Sequence, residues 1–281
     1  VIDDSSVYNE TYVYYPFPVA NLTIKAAAGA NPQVNFTSAT AGHGWCPNKN
    51  VKISDIDGGQ ITFRRSAQGY SPLSGLWLPV SAEMKVSNCK FTAQGDGGPW
   101  LGSAFWHDGV GTASFDHCLF VDFNDPASEI PEQMVITSSP WNGGGVINLS
   151  DCEFKQTSPA EKLRAFEQYT VGLPITVNVQ GCTFENYARF FNFDCGTLNV
   201  SECLFVKPTE FGFHIYNHGP AVSITKCAFY DLAEGDFFIW VPDTTDPVVA
   251  IDHCDFAQGG PNAPIIAIGN GTNATVTVTN C

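Results

Sequence analysis

VSNCKF, residues 86–91, poses the question that decides the fold: why does a cysteine stand two residues before a phenylalanine here, and again all along the chain? The device returns as HCLF at 117–120, DCEF at 151–154, GCTF at 181–184, ECLF at 202–205, KCAF at 226–229 and HCDF at 253–256, and the last residues are Asn280-Cys281. Eight of the ten cysteines belong to it: Cys89, Cys118, Cys152, Cys182, Cys203, Cys227, Cys254 and Cys281. Immediately upstream the chain reads MKVSNC, ASFDHC, INLSDC, VNVQGC, LNVSEC, VSITKC, VAIDHC and VTVTNC. Apolar-x-apolar is a period of two, the mark of a short strand with one buried face. The polar residue before each cysteine breaks that alternation, so a bend there is needed to turn Cys and Phe inward again. Asn, Asp and Gly, which hold that place at Asn88, Asp151 and Gly181, are the residues that tolerate bridge or left-handed backbone.

The cysteines are spaced 29, 34, 30, 21, 24, 27 and 27 residues apart. A period of 20–35 residues with one strand motif per period is the pattern of a solenoid. Each period also carries a second apolar run: GLWLPV (75–80), SAFWH (103–107), MVIT (134–137), AFEQY (165–169), RFFNF (189–193), FGFHIY (211–216), DFFIWV (236–241) and PIIAIG (264–269). One strand lies before the bend, one after it and one in the variable run, with no helix signal. The chain therefore reads as all-β, a single right-handed parallel β-helix of about ten coils and three short strands per coil, spanning residues 1–281. Residues 1–50 read as irregular coils and a loop, and 51–281 as regular coils.

In such a fold equivalent side chains of successive coils stack about 4.8 Å apart. The expected interior ladders are the eight cysteines and, beside them, Phe91, Phe120, Phe154, Phe184, Phe205, Phe229 and Phe256. Stacked unreacted thiols behave as small hydrophobes. Disulfides between neighbours are the competing arrangement, although parallel Cβ vectors make the dihedral awkward. Cys46 and Cys195 lie off the ladder and are candidates for a disulfide or an intermolecular cross-link. Outward on the pre-bend strand, Asn148, Asn178 and Asn199 share a column that fits an amide stack.

The stretch ANLTIKAAAGANPQV (20–34) resembles the opening rung of the right-handed β-helix repeat proteins, whose fold is shared with pectate lyases and polygalacturonases. The resemblance covers nearly the whole chain for fold and implies a secreted or surface-attached protein. Its motifs are structural and carry no reaction. Gly-His-Gly in AGHGWC (41–46) is similar to a polygalacturonase element, but the Asn-Thr-Asp, Asp-Asp and Arg-Ile-Lys partners of that family are missing, so a turn is the better reading.

A formal charge of −15 excludes nucleic acid as a partner and disfavours polyanionic glycans. No apolar stretch reaches the roughly 20 residues of a transmembrane helix. Asn-x-Ser/Thr occurs at Asn9, Asn21, Asn35, Asn148, Asn199, Asn270 and Asn273, which points to a glycosylated exported chain at the cell surface or outside it. The opening VIDDSS reads as a processed chain or a segment of a longer one.

For chemistry the best place is the turn after the variable run, where His107 and Asp108, Asp194, Asn217 and His218, and Asp243 fall at roughly equivalent positions. The four arginines, Arg64, Arg65, Arg164 and Arg189, stand beside no acidic cluster in the repeat alignment. Among the tryptophans, Trp77, Trp106 and Trp240 lie in strand runs, Trp100 and Trp141 in variable loops; exposed rings of this kind stack on sugars. The HC dipeptides at 117–118 and 253–254 do not read as a zinc site, because the histidine faces out where the cysteine faces in. No cofactor is expected, Ca²⁺ entering only with a lyase. With no capping helix in view, the leading expectation is an exported structural or surface unit of a fibre, sheath or adhesin-like assembly that self-associates or continues through its β-helix ends. The alternatives are a secreted polysaccharide lyase or hydrolase working near His107, Asp108, Asp194 and His218, and a non-catalytic glycan-binding module.

Overall fold

A computed structural model describes residues 1–10, 15–16, 20–37, 44–47, 49–54, 58–65, 75–79, 81–93, 103–123, 133–139, 144–159, 163–168, 173–216, 218–232, 237–242, 246–258, 265–269 and 273–281. The chain winds as a parallel β-solenoid with three sheets of ten strands each. The first sheet collects the strands before the bend, such as Glu83–Ser87, Val146–Ser150 and Ile175–Gln180; the second collects Cys89–Ala93, Glu153–Lys155, Leu204–Val206 and their equivalents. The third is built from the variable runs, including Phe105–His107, Leu163–Gln168, Arg189–Phe193 and Phe211–Ile215. Among the described residues no helix is long and apolar enough to cross a membrane.

The bend is where local chemistry sets the fold. Asn88, His117, Asp151, Gly181, Glu202, Lys226, His253 and Asn280 all sit in the left-handed region, with φ between 50° and 64°. The amides of the first seven stay in the ladder: Asn88 N–H donates to Asp116 O at 3.0 Å and Asp151 N–H to Gln180 O at 2.9 Å. The corner therefore turns without orphaning a backbone group. It also restores the inward parity of the next residue, and seven of the eight motif cysteines are buried, Cys281 alone being exposed. All ten cysteines are free. Thiols of Cys152, Cys203 and Cys227 donate to the carbonyl two residues back, across the bend, at 3.2, 3.1 and 3.3 Å. A small side chain with a weak donor suits that corner, and burial pushes the Cys89 thiol well above its ordinary pKa, keeping it protonated.

Beside the thiols the phenylalanines form one continuous stack. Ring centroids are 4.8 Å apart for Phe91–Phe120, 4.4 Å for Phe120–Phe154, 4.6 Å for Phe154–Phe184 and 4.9 Å for Phe205–Phe229, with interplanar angles of 8–18°. The stack extends one coil beyond the seven residues expected, because Phe63 pairs in register with Phe91 and its ring lies 5.2 Å away. Ile61 takes the cysteine's place in that coil, opposite Cys89. Each offset pair adds about 0.5–1.5 kcal/mol beyond burial.

On the outside of the first sheet the asparagine column forms the amide stack. Asn148 donates to Ser114 Oγ at 3.1 Å, Asn178 to Asn148 at 2.9 Å and Asn199 to Asn178 at 2.9 Å. A second pair joins Asn35 to Asn9 at 3.2 Å. Four sequon asparagines are thus members of amide ladders, Asn21 holds a left-handed φ of 56°, Asn273 is exposed, and Asn270 lies outside the described residues.

Candidate functional site on the third sheet

Register in the third sheet sorts the residues that sequence reading grouped. His107 pairs with Ser138, Glu167 with Asn192, and Asn192 with His214. Asp108 and Asp194 stand in one column but three coils apart, about 14 Å at the strand spacing. His107 takes the inward parity of Phe105 and is fully buried, its Nε2 3.1 Å from Gly111 O. It is an interior residue and not part of a groove. Its imidazole lies against Gly145, where any Cβ would come within 2.4 Å of Cε1. Burial pulls its pKa down to about 4, with the Gly111 bond opposing in part. Asp108 accepts from two indoles, Trp106 Nε1 at 2.7 Å and Trp77 Nε1 at 3.0 Å, and so locks the paired tryptophans. Asn217, Asp243, Trp100 and Trp141, and His43 of the Gly-His-Gly turn, lie outside the described residues.

Asp194 and His218 do meet. Asp194 is fully buried, and His218 Nδ1 lies 3.0 and 3.2 Å from its two carboxylate oxygens. The imidazole is 43% exposed. Gln168, buried, fixes the backbone that carries the aspartate: its Oε1 accepts from the Asp194 and Cys195 amides at 3.1 and 3.0 Å, and its Nε2 donates to Cys195 O at 2.9 Å. A carboxylate at Nδ1 selects the Nδ1–H tautomer, leaving Nε2, on the far side of the ring, as the basic nitrogen.

Next to this pair lies a cluster that sequence reading missed. Arg164 is ion-paired with Glu167, both nearly fully buried, and Asn192 Nδ2 donates to both Glu167 oxygens at 2.8 and 2.7 Å. Tyr216 Oη donates to Glu167 at 3.3 Å. Burial, then the Glu167 and Asp194 charges, push the Tyr216 hydroxyl well above its usual pKa. One strand on, Arg189 Nε donates to Glu210 at 2.6 Å, and its guanidinium lies 4.7 Å over the Phe211 ring. His214 stacks between Trp240 (4.6 Å) and Tyr216 (4.7 Å). Burial, then Arg189 and Arg164, pull its pKa down to about 3 and hold it neutral. Two of the four arginines therefore do stand beside carboxylates. The repeat alignment hid this because Glu167 lies in the same variable run as Arg164, and Glu210 reaches Arg189 from the next coil. Strict parity from Phe166, Phe191 and Phe193 turns Glu167 and Asn192 outward but would turn Arg164 and Arg189 inward. Ala165 and Phe166, and Phe190 and Phe191, are consecutive buried pairs, so the alternation breaks in these runs and hides the arginines.

The carboxylates here do not fit Ca²⁺, which takes six to eight oxygens. Glu167 and Glu210 are each engaged by a guanidinium and Asp194 by an imidazole. Elsewhere among the described residues, Asp116, His117 and Asp151 bring ligand atoms within 4.8 Å of one another, at the corner between the first two sheets. His117 Nδ1 is already 2.9 Å from Asp116 there. Cys46 and Cys195 flank different coils: Trp45–Cys46 is the second strand of the third sheet, and Arg189–Phe193, just before Cys195, is the seventh. Five strand spacings, about 24 Å, rule out a bridge within the chain. Burial raises the Cys46 pKa to about 11.

No protein-family model matches the chain, and no curated protein matches it either. The fold is established by its own hydrogen-bond register, and the site must be read from its own geometry.

Proposed function

We propose that the protein is a glycan-directed β-solenoid that works through the part-exposed end of the third sheet's outer face, with His218 as its proton-transfer group. One observation carries this: a half-exposed imidazole held by a fully buried aspartate, beside a row of part-exposed aromatic rings. The Asp194 carboxylate fixes the tautomer and stabilises the imidazolium once Nε2 takes a proton, the arrangement that general base catalysis requires. The aromatic row offers flat apolar faces to sugar rings. Release of reducing ends from a panel of soluble glycans tests the reading, with His218→Gln and Asp194→Asn beside the wild type. Both substitutions should cut turnover at least about 100-fold, while circular dichroism stays unchanged. Turnover that survives both substitutions overturns the catalytic role, and binding without turnover in the wild type leaves a glycan-binding module.

A further inference from the structure

We infer that the glycan bound on the third sheet is uncharged, and that one sugar ring stacks on the outer face of Trp240 over Ala267. This rests on the glycan reading above and names the class of ligand and the place where it sits.

The column His214, Trp240, Ala267 runs outward on three successive coils. His214 covers one face of the Trp240 ring at 4.6 Å, nearly parallel at 11°. In the next coil the register partner of Trp240 is Ala267, a single methyl where earlier coils place His214, Asn192 or Glu167. Successive coils are about 4.8 Å apart, so among the described residues the register leaves a gap against the indole, with only the Ala267 methyl where a large side chain stands in earlier coils. That gap matches the thickness of one sugar ring presenting its C–H face. Phe211, at 4.7 Å from Trp240 and beneath the Arg189 guanidinium, braces the indole from the side. Trp240 is part-exposed, as a ring that receives a ligand must be.

Charge then selects the ligand. Both guanidinium groups of the face are engaged, Arg164 by Glu167 and Arg189 by Glu210, so neither is poised to pair with a uronate carboxylate. Those carboxylates, with Asp194 on His218, are committed in the same way and offer no reward to an amino sugar. A formal charge of −15 adds a general repulsion of polyanions. What remains is stacking and hydrogen bonding, which an uncharged glycan satisfies.

The test uses the full chain and three soluble polymers: a mixed-linkage β-glucan, chitosan oligomers and polygalacturonate. Binding is read by tryptophan fluorescence and by affinity electrophoresis at low and high salt. The expected result is retardation by the β-glucan that does not change with salt, weakened about tenfold in Trp240→Ala. Ala267→Trp, which fills the open space while keeping the face aromatic, should weaken it comparably with the fold intact. Tighter binding of polygalacturonate or chitosan overturns the inference while leaving the glycan reading standing, as does β-glucan binding indifferent to both substitutions. Failure of all three polymers to bind overturns both.

Discussion

Glu202 and Lys226 occupy the bend with φ of 57° and 53°, where a residue with a Cβ costs about 1–2 kcal/mol that a glycine avoids. The ladder bonds through the corner offset that cost coil after coil. Gly196 is stricter. At its φ of 104° an added Cβ would lie 2.2 Å from Ile175 O and 2.5 Å from Ile175 N, both backbone atoms of the neighbouring coil. Gly196→Ala should therefore lower stability by roughly 2–4 kcal/mol in urea unfolding; a loss below about 0.5 kcal/mol would show the backbone there gives way freely. His107 predicts a pH dependence. Its folded pKa, near 4, lies below the unfolded value of about 6.5. As pH falls between those values the unfolded chain binds a proton that the folded chain refuses, so stability is full above about 6.5 and declines toward 4, by roughly 3 kcal/mol for this residue. His214 acts in the same sense. In His107→Leu the slope of stability over that window should flatten, as measured by urea midpoints at stepped pH.

At the scale of the element, the phenylalanine stack sets how the sheets hold together. Phe154 is fully buried between Phe120 and Phe184, whereas Phe256, at the end of the stack, is only part-buried and rests on Phe229 at 4.7 Å. Truncation should follow that difference. Phe154→Ala is expected to cost about 3–5 kcal/mol, and Phe256→Ala less than half as much. Equal losses in chemical denaturation would mean that the last coil is as well packed as the middle. Gln168 works at the same scale: with three backbone bonds around Asp194 and Cys195 it makes one turn of the third sheet rigid enough to present an aspartate.

For the whole molecule, each coil touches only its neighbours, so order is expected to weaken toward the last coil. The thiol ladder reports on this directly. Cys281 is exposed and Cys195 half-buried, while Cys46 and the seven other ladder thiols are buried. Brief iodoacetamide treatment of the native chain should alkylate Cys281, then Cys195, with Cys118 to Cys227 reacting only after denaturation. Native alkylation of Cys152 or Cys182 would show that the solenoid opens in its middle.

Much of this was legible in the chain as written. Period-two alternation, a polar residue at the phase break and a repeated Cys-x-Phe together specify strands, a left-handed bend and stacked ladders, because each is a local rule repeated at each coil. Asn148, Asn178 and Asn199 were readable as a stack for the same reason. The site was less legible. Repeat alignment set His107, Asp108, Asp194 and His218 at equivalent positions of different coils without saying which would touch; the register keeps Asp108 three coils from Asp194 and brings His218 to it from the next coil. It likewise took the tertiary structure to bring Glu167 to Asn192 and Tyr216, Glu210 to Arg189, and the face of Trp240 over Ala267. In the first two sheets local periodicity determines which side of a strand a residue faces; in the third sheet, where the alternation breaks, and for neighbours across coils, which depend on loop lengths that carry no period, only the assembled solenoid decides.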